Sequence, residues 1–383
     1  MNLHRVLPVL GVPVSNLTLD DVLDQATAMI AERRPDFFAT ANLDHAMRCR
    51  TDERLRDALC AARFVTADGM PLVWMSQWNG TGLFGRVTGS DLLPRLAELA
   101  ASCGFRVFLL GGPPGMADRA AARLIDKFPA LQIAGTYCPE FAPLEQMDHG
   151  RMCDAIRRAR PDILFTSLGS PKGTFWIADH LEEIQVPVCV EIGAALALAS
   201  GESRRAPRWM QRTGCEWAYR LFQEPGRLFD RYRANAGFLL SEFVRQSCVF
   251  PISSSAQASH AQPSLKPGET PQACGEADSR TSSERRQAIR SFSNESETWS
   301  VAKAIARRIA RSRSVIASLA GSIGRPEELV GAIVSLHRLA TRRGVDLEFR
   351  GLAASIRTGA GRLGGPLFAS WLTAASQSRV QQN

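Results

Sequence analysis

The stretch from Gly201 to Arg233, GESRRAPRWMQRTGCEWAYRLFQEPGRLFDRYR, sets eight arginines against four acidic residues and spreads Trp209, Trp217, Tyr219, Phe222, Phe229 and Tyr232 among them. Guanidinium forks grip phosphate oxygens in pairs, and aromatic rings settle at the boundary between water and lipid. Together they suit a substrate with phosphate at one end and hydrocarbon at the other. The same pattern also fits an amphipathic helix pair whose charges are merely solvated. A second candidate is Asp68, which ends the apolar run FVTAD (64–68) and precedes Gly69. A glycine there lets the backbone turn and project the carboxylate into a crevice, where it can act as general base toward a hydroxyl. Asp68 can equally be the N-cap of the next helix.

These residues need a scaffold, and the chain supplies a readable one. Short apolar runs at FFATAN (37–42), FVTAD (64–68), FRVFLLGG (105–112), LQIAGTY (131–137), DILFTSLG (162–169) and VPVCVEIG (186–193) alternate with helix-length segments. Those segments are His45–Ala62, Leu92–Ser102, Met116–Phe128, Gln146–Arg158 and Phe175–Glu183. The alternation predicts an α/β fold: a Rossmann-like parallel sheet covered by helices on both faces. The nearly all-apolar strands agree with burial on both sides.

In such sheets, ligands bind beyond the carboxyl ends of the strands. Polar clusters fall there at Thr40/Asn42/Asp44, Asp68/Gly69, Gly111–Gly115 and Gly169–Lys172. GGPPGMAD (111–118) opens a helix, so its N–H groups, with Gly111 and Gly112 allowing close approach, can hold a diphosphate. A plain tight turn explains the same residues, since the pattern is not G-x-G-x-x-G and Pro113 and Pro114 remove two donors. Thr40 and Asn42 can hydrogen-bond a sugar or cap the following helix. No Asp-x-Asp occurs to hold a metal–nucleotide pair, and no metal site or cofactor is expected. His45, His149 and His180 lack ligand-like spacing and read as structural or surface residues.

The chain has 383 residues, 45% of them hydrophobic, and a net charge of +8 carried far more by arginine than by lysine. That balance favours an anionic partner. Because the basic residues cluster in the aromatic-rich segment, the expected partner is an anionic membrane surface rather than nucleic acid. Nine cysteines without a C-x-x-C pair argue for a reducing compartment and against a disulfide framework or zinc ribbon. No signal-peptide pattern and no long uncharged apolar run is seen, so the expected location is cytoplasmic, peripheral at the inner face of the membrane. Residues 251–297 are rich in Ser, Pro, Gln, Ala and Glu and read as a disordered linker. Apolar patterning resumes near Trp299, and 298–383 reads as a separate small α/β domain.

Residues 1–245 resemble the WecG/TagA/CpsF family of bacterial glycosyltransferases. The matching pieces stand in order: TANLDH (40–45), TADGMPLVW (66–74), FRVFLLGGPPGMAD (105–118), SLGSPK (167–172) and RRAPRWMQRTGCEWAYRLFQEPGRLFDRY (204–232). The resemblance implies an inverting, metal-independent enzyme. Its family moves an N-acetylmannosamine-type or related sugar from a UDP donor to a polyprenyl-diphosphate-linked sugar. It casts Asp68 as general base and Thr40 and Asn42 as pocket residues. It also makes 200–245 an appendage that meets the membrane and closes over the diphosphate through Arg205, Arg220, Arg227 and Arg231. Gly169 and Lys172 belong to its G-x-P-K turn. Two departures stand out: the family's usual Gln-Glu after that turn is Gly173-Thr174 here, and its usual Asp in the segment before RAP is Ala197. These departures leave open a degenerate scaffold that recruits other polysaccharide enzymes. A nucleotide-dependent oxidoreductase, suggested only by the glycine-rich turn, lacks the acidic residue such a site needs. The tail faintly resembles a STAS domain, with GSIGRPEE (321–328) where that family's signature is expected, which implies protein docking.

Overall fold

In the computed structural model of this chain, residues 5–78, 82–249, 288–289, 302, 305–306, 314–318, 326–343 and 345–350 are described. A hairpin comes first, β1 (Val6–Val9) and β2 (Val12–Ser15), turning through Leu10 and Gly11 at φ 52° and 87°. Those are the positive angles that a two-residue hairpin turn requires. Pro8 and Pro13 face each other across this ladder, one step from the turn-adjacent pair. A proline is tolerated where the ladder needs no N–H donor.

Next come α1 (Leu19–Glu32), β3 (Phe37–Ala41), α2 (Leu43–Arg48), α3 (Glu53–Ala61), β4 (Val65–Ala67), α4 (Met70–Trp78) and α5 (Gly89–Cys103). They are followed by β5 (Arg106–Gly111), α6 (Met116–Lys127), β6 (Gln132–Tyr137), α7 (His149–Ala159), β7 (Ile163–Ser167), α8 (Lys172–Ile184), β8 (Val188–Glu191) and α9 (Ala195–Ser200). Strands β3–β8 form one parallel sheet in the order β4-β3-β8-β7-β5-β6. The six apolar runs are its six strands. The expected helix at His45–Ala62 is two, because Asp52 starts a new one by accepting from Leu55 N at 2.9 Å. The hairpin, α1 and α4 were not foreseen.

Side chains alternate across this sheet. Phe37, Ala39, Phe108, Leu110, Leu164 and Cys189 enter one apolar core, and Phe38, Val107, Leu109, Phe165, Val188 and Val190 enter the other. Each fully buried side chain of this size contributes about 1.5–3 kcal/mol. The sheet is therefore fixed from both faces, and its carboxyl edge is a rigid rim.

After the sheet, α10 (Arg208–Thr213), α11 (Glu216–Gln223) and α12 (Pro225–Val249) form the arginine-rich appendage. Of 251–297, only β9 (Ala288–Ile289) lies within the described residues. It pairs parallel with β10 (Ser314–Ser318), which α13 (Pro326–Arg343) links to a parallel β11 (Asp346–Arg350). Residues 321–325 of GSIGRPEE and those beyond Arg350 fall outside the described set.

Helix α13 packs on the first domain. Its Arg338, buried, donates from Nε to Cys60 O at 3.0 Å and from Nη2 to Leu59 O at 2.7 Å. Arg342, one turn on, donates to Ala61 O at 2.9 Å and to both Asp36 oxygens. These are C-terminal carbonyls of α3, which have no partner within their own helix and carry its negative dipole end. Arg338→Ala leaves two buried carbonyls unpaired, at about 1–3 kcal/mol each. Urea denaturation of the full chain should therefore show a loss of at least 2 kcal/mol, whereas an unchanged midpoint would mean that α13 does not bear on α3.

Candidate active site

Strand β4 ends at Ala67, and Gly69, at φ 148°, turns the chain into α4. Asp68 sits at that corner, its N–H donating to Ala41 O at 2.7 Å. Burial raises its carboxyl above the usual carboxylate range, Arg220 and Arg86 pull it back, and Glu216 and Asp91 add to the rise. A desolvated carboxylate with a raised proton affinity is suited to general-base work.

The groups around Asp68 come from four segments. Glu216, buried at the start of α11, lies 3.0 Å from Arg86, 3.6 Å from Arg205 and 3.5 Å from Arg220. Arg205 also reaches Asp91 at 2.7 Å, in the first turn of α5, and Ser90 O at 3.4 Å. Arg220 lies 3.5 Å from Ser90 Oγ. Tyr232, on α12, is half-buried close enough to Asp68 for that charge to help raise its hydroxyl, after burial itself. Arg220 thus bears on Asp68 directly, and Arg205 joins the same cluster through Glu216 and Asp91. Arg231 instead pairs with the buried Asp44 at 3.6 Å, and Arg227 is exposed and pairs with Glu224 on its own helix.

The other half of the rim holds Thr40, Asn42, Gly111, Gly112, Gly169 and Lys172. Asn42 caps α2, its Oδ1 accepting from Asp44 N at 3.0 Å and His45 N at 3.3 Å. Thr40 Oγ1 donates to Glu191 O at 3.4 Å. Gly112 N donates to Ser167 O at 3.2 Å, tying the β5 turn to β7. Gly169 lies in the β7–α8 turn at φ 87°. Lys172 turns away to Ala142 O at 3.2 Å, its Nζ 4.6 Å from the Phe141 ring centre.

Two buried groups cross-link the turns of this half. His45 Nδ1 lies 3.3 Å from Asn42 N and 3.1 Å from Asn42 Oδ1, and its Nε2 hydrogen-bonds Ser170 Oγ at 2.9 Å. Burial pushes this imidazole down to about 4. Glu191 accepts from Thr166 Oγ1 at 2.7 Å and Gly193 N at 3.3 Å, and burial pushes its carboxyl up to about 7.

Sequence reasoning missed His45, Arg86, Asp91, Glu191 and Glu216 as site residues. Glu216 lies inside the EW-x-YR motif, and Asp91 showed only a helix-start signal. A further group, Cys153, His180 and Glu183 on α7 and α8, brings thiol, imidazole and carboxylate atoms within 4.8 Å of one another. It shares no residue with the Asp68 cluster. His180 Nδ1 faces Trp176 O at 3.0 Å, and burial and Glu183 hold the Cys153 thiol up at about 12, protonated.

The sequence profile of the glycosyl transferase WecG/TagA/CpsF family matches residues 7–250. The chain belongs to this family. It is 28% identical over 218 residues to an N-acetylglucosaminyldiphosphoundecaprenol N-acetyl-beta-D-mannosaminyltransferase of Bacillus subtilis strain 168, covering 57% of this chain and 83% of that protein. A protein of the same name from Staphylococcus aureus strain MW2 is 25% identical over 218 residues, covering 56% and 84%. This chain is thus a glycosyltransferase, and the sheet rim with Asp68 is where its family motifs converge.

The two linking groups give opposite pH signatures. His45, lowered from 6.5 to about 4, binds fewer protons folded than unfolded, so its contribution to stability rises as pH climbs from 4 to 6.5. Glu191, raised from 4.5 to about 7, binds more protons folded, so its contribution falls from pH 4.5 to 7. Each is on the order of 3 kcal/mol, and they oppose each other between pH 4.5 and 6.5. Denaturation across that window should show Glu191→Gln gaining stability with pH relative to wild type and His45→Gln losing it. Parallel profiles in the two variants would refute the assignment.

Proposed function

We propose that this enzyme transfers an N-acetylmannosamine-type sugar from a UDP donor to a polyprenyl-diphosphate-linked N-acetylglucosamine at a membrane surface. The observation that carries this reading is Asp68, desolvated at a strand end beside Arg220 and Arg86, with Arg205 of the appendage held nearby through Glu216 and Asp91. The acceptor hydroxyl oxygen attacks the anomeric carbon of the donor sugar. Its proton passes to Asp68, the bond from that carbon to the UDP oxygen breaks, and UDP leaves with the electron pair. The configuration inverts. Guanidinium groups and the N–H groups at the helix starts that follow the Gly111–Gly115 and Gly169 turns stabilise the charge on the departing diphosphate. Because no Asp-x-Asp pair exists to hold a metal–nucleotide complex, turnover proceeds without added divalent cation.

The acceptor's lipid calls for a membrane face, and the surface offers one beyond the appendage. Trp78, exposed on α4, lies 4.7 Å from Phe243 on α12 with the rings tilted by 44°, and Trp217 lies 6.0 Å from Tyr232. Trp74, Trp209, Phe222 and Phe229 are exposed as well, with Arg208, Arg212 and Arg233 among them. Helix α4 and the appendage thus present aromatics with arginines, which suits an anionic interface. Among the described residues no helix is long and apolar enough to cross a membrane.

Transfer from UDP-N-acetylmannosamine to a short polyprenyl-diphosphate-N-acetylglucosamine in EDTA should proceed with wild type. Asp68→Asn should lose at least 100-fold in kcat. Its thermal midpoint at pH 7 should equal or exceed that of wild type, since a strained buried charge is removed. Absence of turnover from a folded wild-type protein with any UDP-sugar would refute the transferase reading in favour of the scaffold. Separately, Trp78→Ala/Trp217→Ala/Phe229→Ala should weaken binding to phosphatidylglycerol vesicles at least tenfold in a flotation assay, and undiminished flotation would sink the membrane face.

A further inference from the structure

Glu191 ends β8, the strand next to β3 in the middle of the rim, and is 5% exposed. Its carboxylate takes the Thr166 hydroxyl on one oxygen and the Gly193 N–H on the other, and the N–H groups of Leu168 and Gly169 also bear on it. The carboxylate therefore sits between two adjacent turns, bonded to 192–194 after β8 through Gly193 N and filling the space beside Gly173 in 168–173 after β7. The carboxylate lies where a side chain on the first turn of α8 would otherwise be: a Cβ placed on Gly173 would stand 1.5 Å from Glu191 Oε2. A polar residue at 173 and a carboxylate at 191 exclude each other.

We infer that Glu191 is a positioning residue of the donor site, holding the 168–173 turn through its backbone N–H groups in space that Gly173 leaves open. This rests on the reading of that turn as a diphosphate cradle. The departure from the usual Gln after Lys172 is then a relocation: the polar group reaches the same space from β8 instead of from α8. An enzyme built this way keeps its cradle while changing which backbone groups face the donor.

The test uses the full chain as Glu191→Ala, Glu191→Gln, Gly173→Gln, Glu191→Gly and the double variant Glu191→Gly/Gly173→Gln. Amide hydrogen exchange reads the turn without any substrate. Glu191→Ala should speed exchange at Leu168 and Gly169 at least tenfold and raise the donor KM at least tenfold while kcat changes less than threefold. Glu191→Gln, which keeps one acceptor oxygen, should recover most of both. Gly173→Gln should be damaging beside Glu191, and the double variant should exchange more slowly than Glu191→Gly alone. Wild-type exchange rates in Glu191→Ala, or a Gly173→Gln defect that persists unchanged without Glu191, would overturn the inference. If wild type shows no turnover, the transferase reading falls while exchange still decides the clamp.

Discussion

A single carboxylate makes the crevice over Asp68 possible. Glu216 is buried within ion-pair reach of Arg86, Arg205 and Arg220, which come from the segment before α5, the stretch before α10, and α11. Three guanidinium groups gathered at one point repel one another, and the repulsion grows as water is excluded. Glu216, with Asp91 on Arg205, offsets that repulsion and so ties the appendage to the sheet. Counting Asp68, three cations face three anions. With Asp68 as the proposed base, its protonation would give the cluster one more net positive charge as the diphosphate departs. The arrangement is preorganised for the products of the reaction, which is where electrostatic catalysis gains most.

The opposite half of the rim works by hydrogen bonding between neutral or half-neutral groups. His45 stays uncharged, and a neutral imidazole can donate on one ring nitrogen and accept on the other, so it bonds Asn42 and Ser170 together as an imidazolium cannot. Asn42, read as either sugar ligand or cap, is a cap whose second partner is this histidine. The chain of contacts Asn42–His45–Ser170 spans from β3 to the β7 turn, and Thr40–Glu191–Gly193 spans from β3 to the β8 turn. Loops from three strands are thereby set in mutual register by buried groups, which costs less entropy at binding than ordering them around a ligand.

What was legible in the sequence follows from what has a period or a motif. All six strands showed as apolar runs because both faces of a parallel sheet are buried, and Asp68 and Arg220 showed because they stand in motifs. Glu191, Arg86 and Asp91 carried no such signal: each has partners more than 20 positions away, Thr166 for Glu191, Glu216 for Arg86 and Arg205 for Asp91, and spacing along the chain says nothing of that. His45 was set aside for lacking ligand spacing, although its role is to bond loops rather than a metal. Helix α4 escaped because MPLVWMSQW is apolar on most sides, part facing the core and part the exposed aromatic surface. The break at Asp52 is a capping event inside a continuous apolar pattern, where periodicity alone runs straight through.

The tail docks at the other end of the molecule from this chemistry. Arg338 and Arg342 meet the C-terminus of α3 and Asp36, which precede β4 and β3, so α13 sits at the amino edge of the parallel sheet. Gly331 brings its backbone against Val6 O, where a Cβ would lie 1.7 Å away. Asp68, the glycine turns and the appendage occupy the carboxyl edge. A parallel sheet gives its two edges different jobs, since every strand delivers its C-terminus, with its turn and helix start, to the same side. Docking at the amino edge leaves the carboxyl edge and the exposed aromatics of α4 and α12 uncovered by the tail. The two buried carbonyls capped by Arg338 make the tail part of the stability of the transferase body without placing it near the reacting groups.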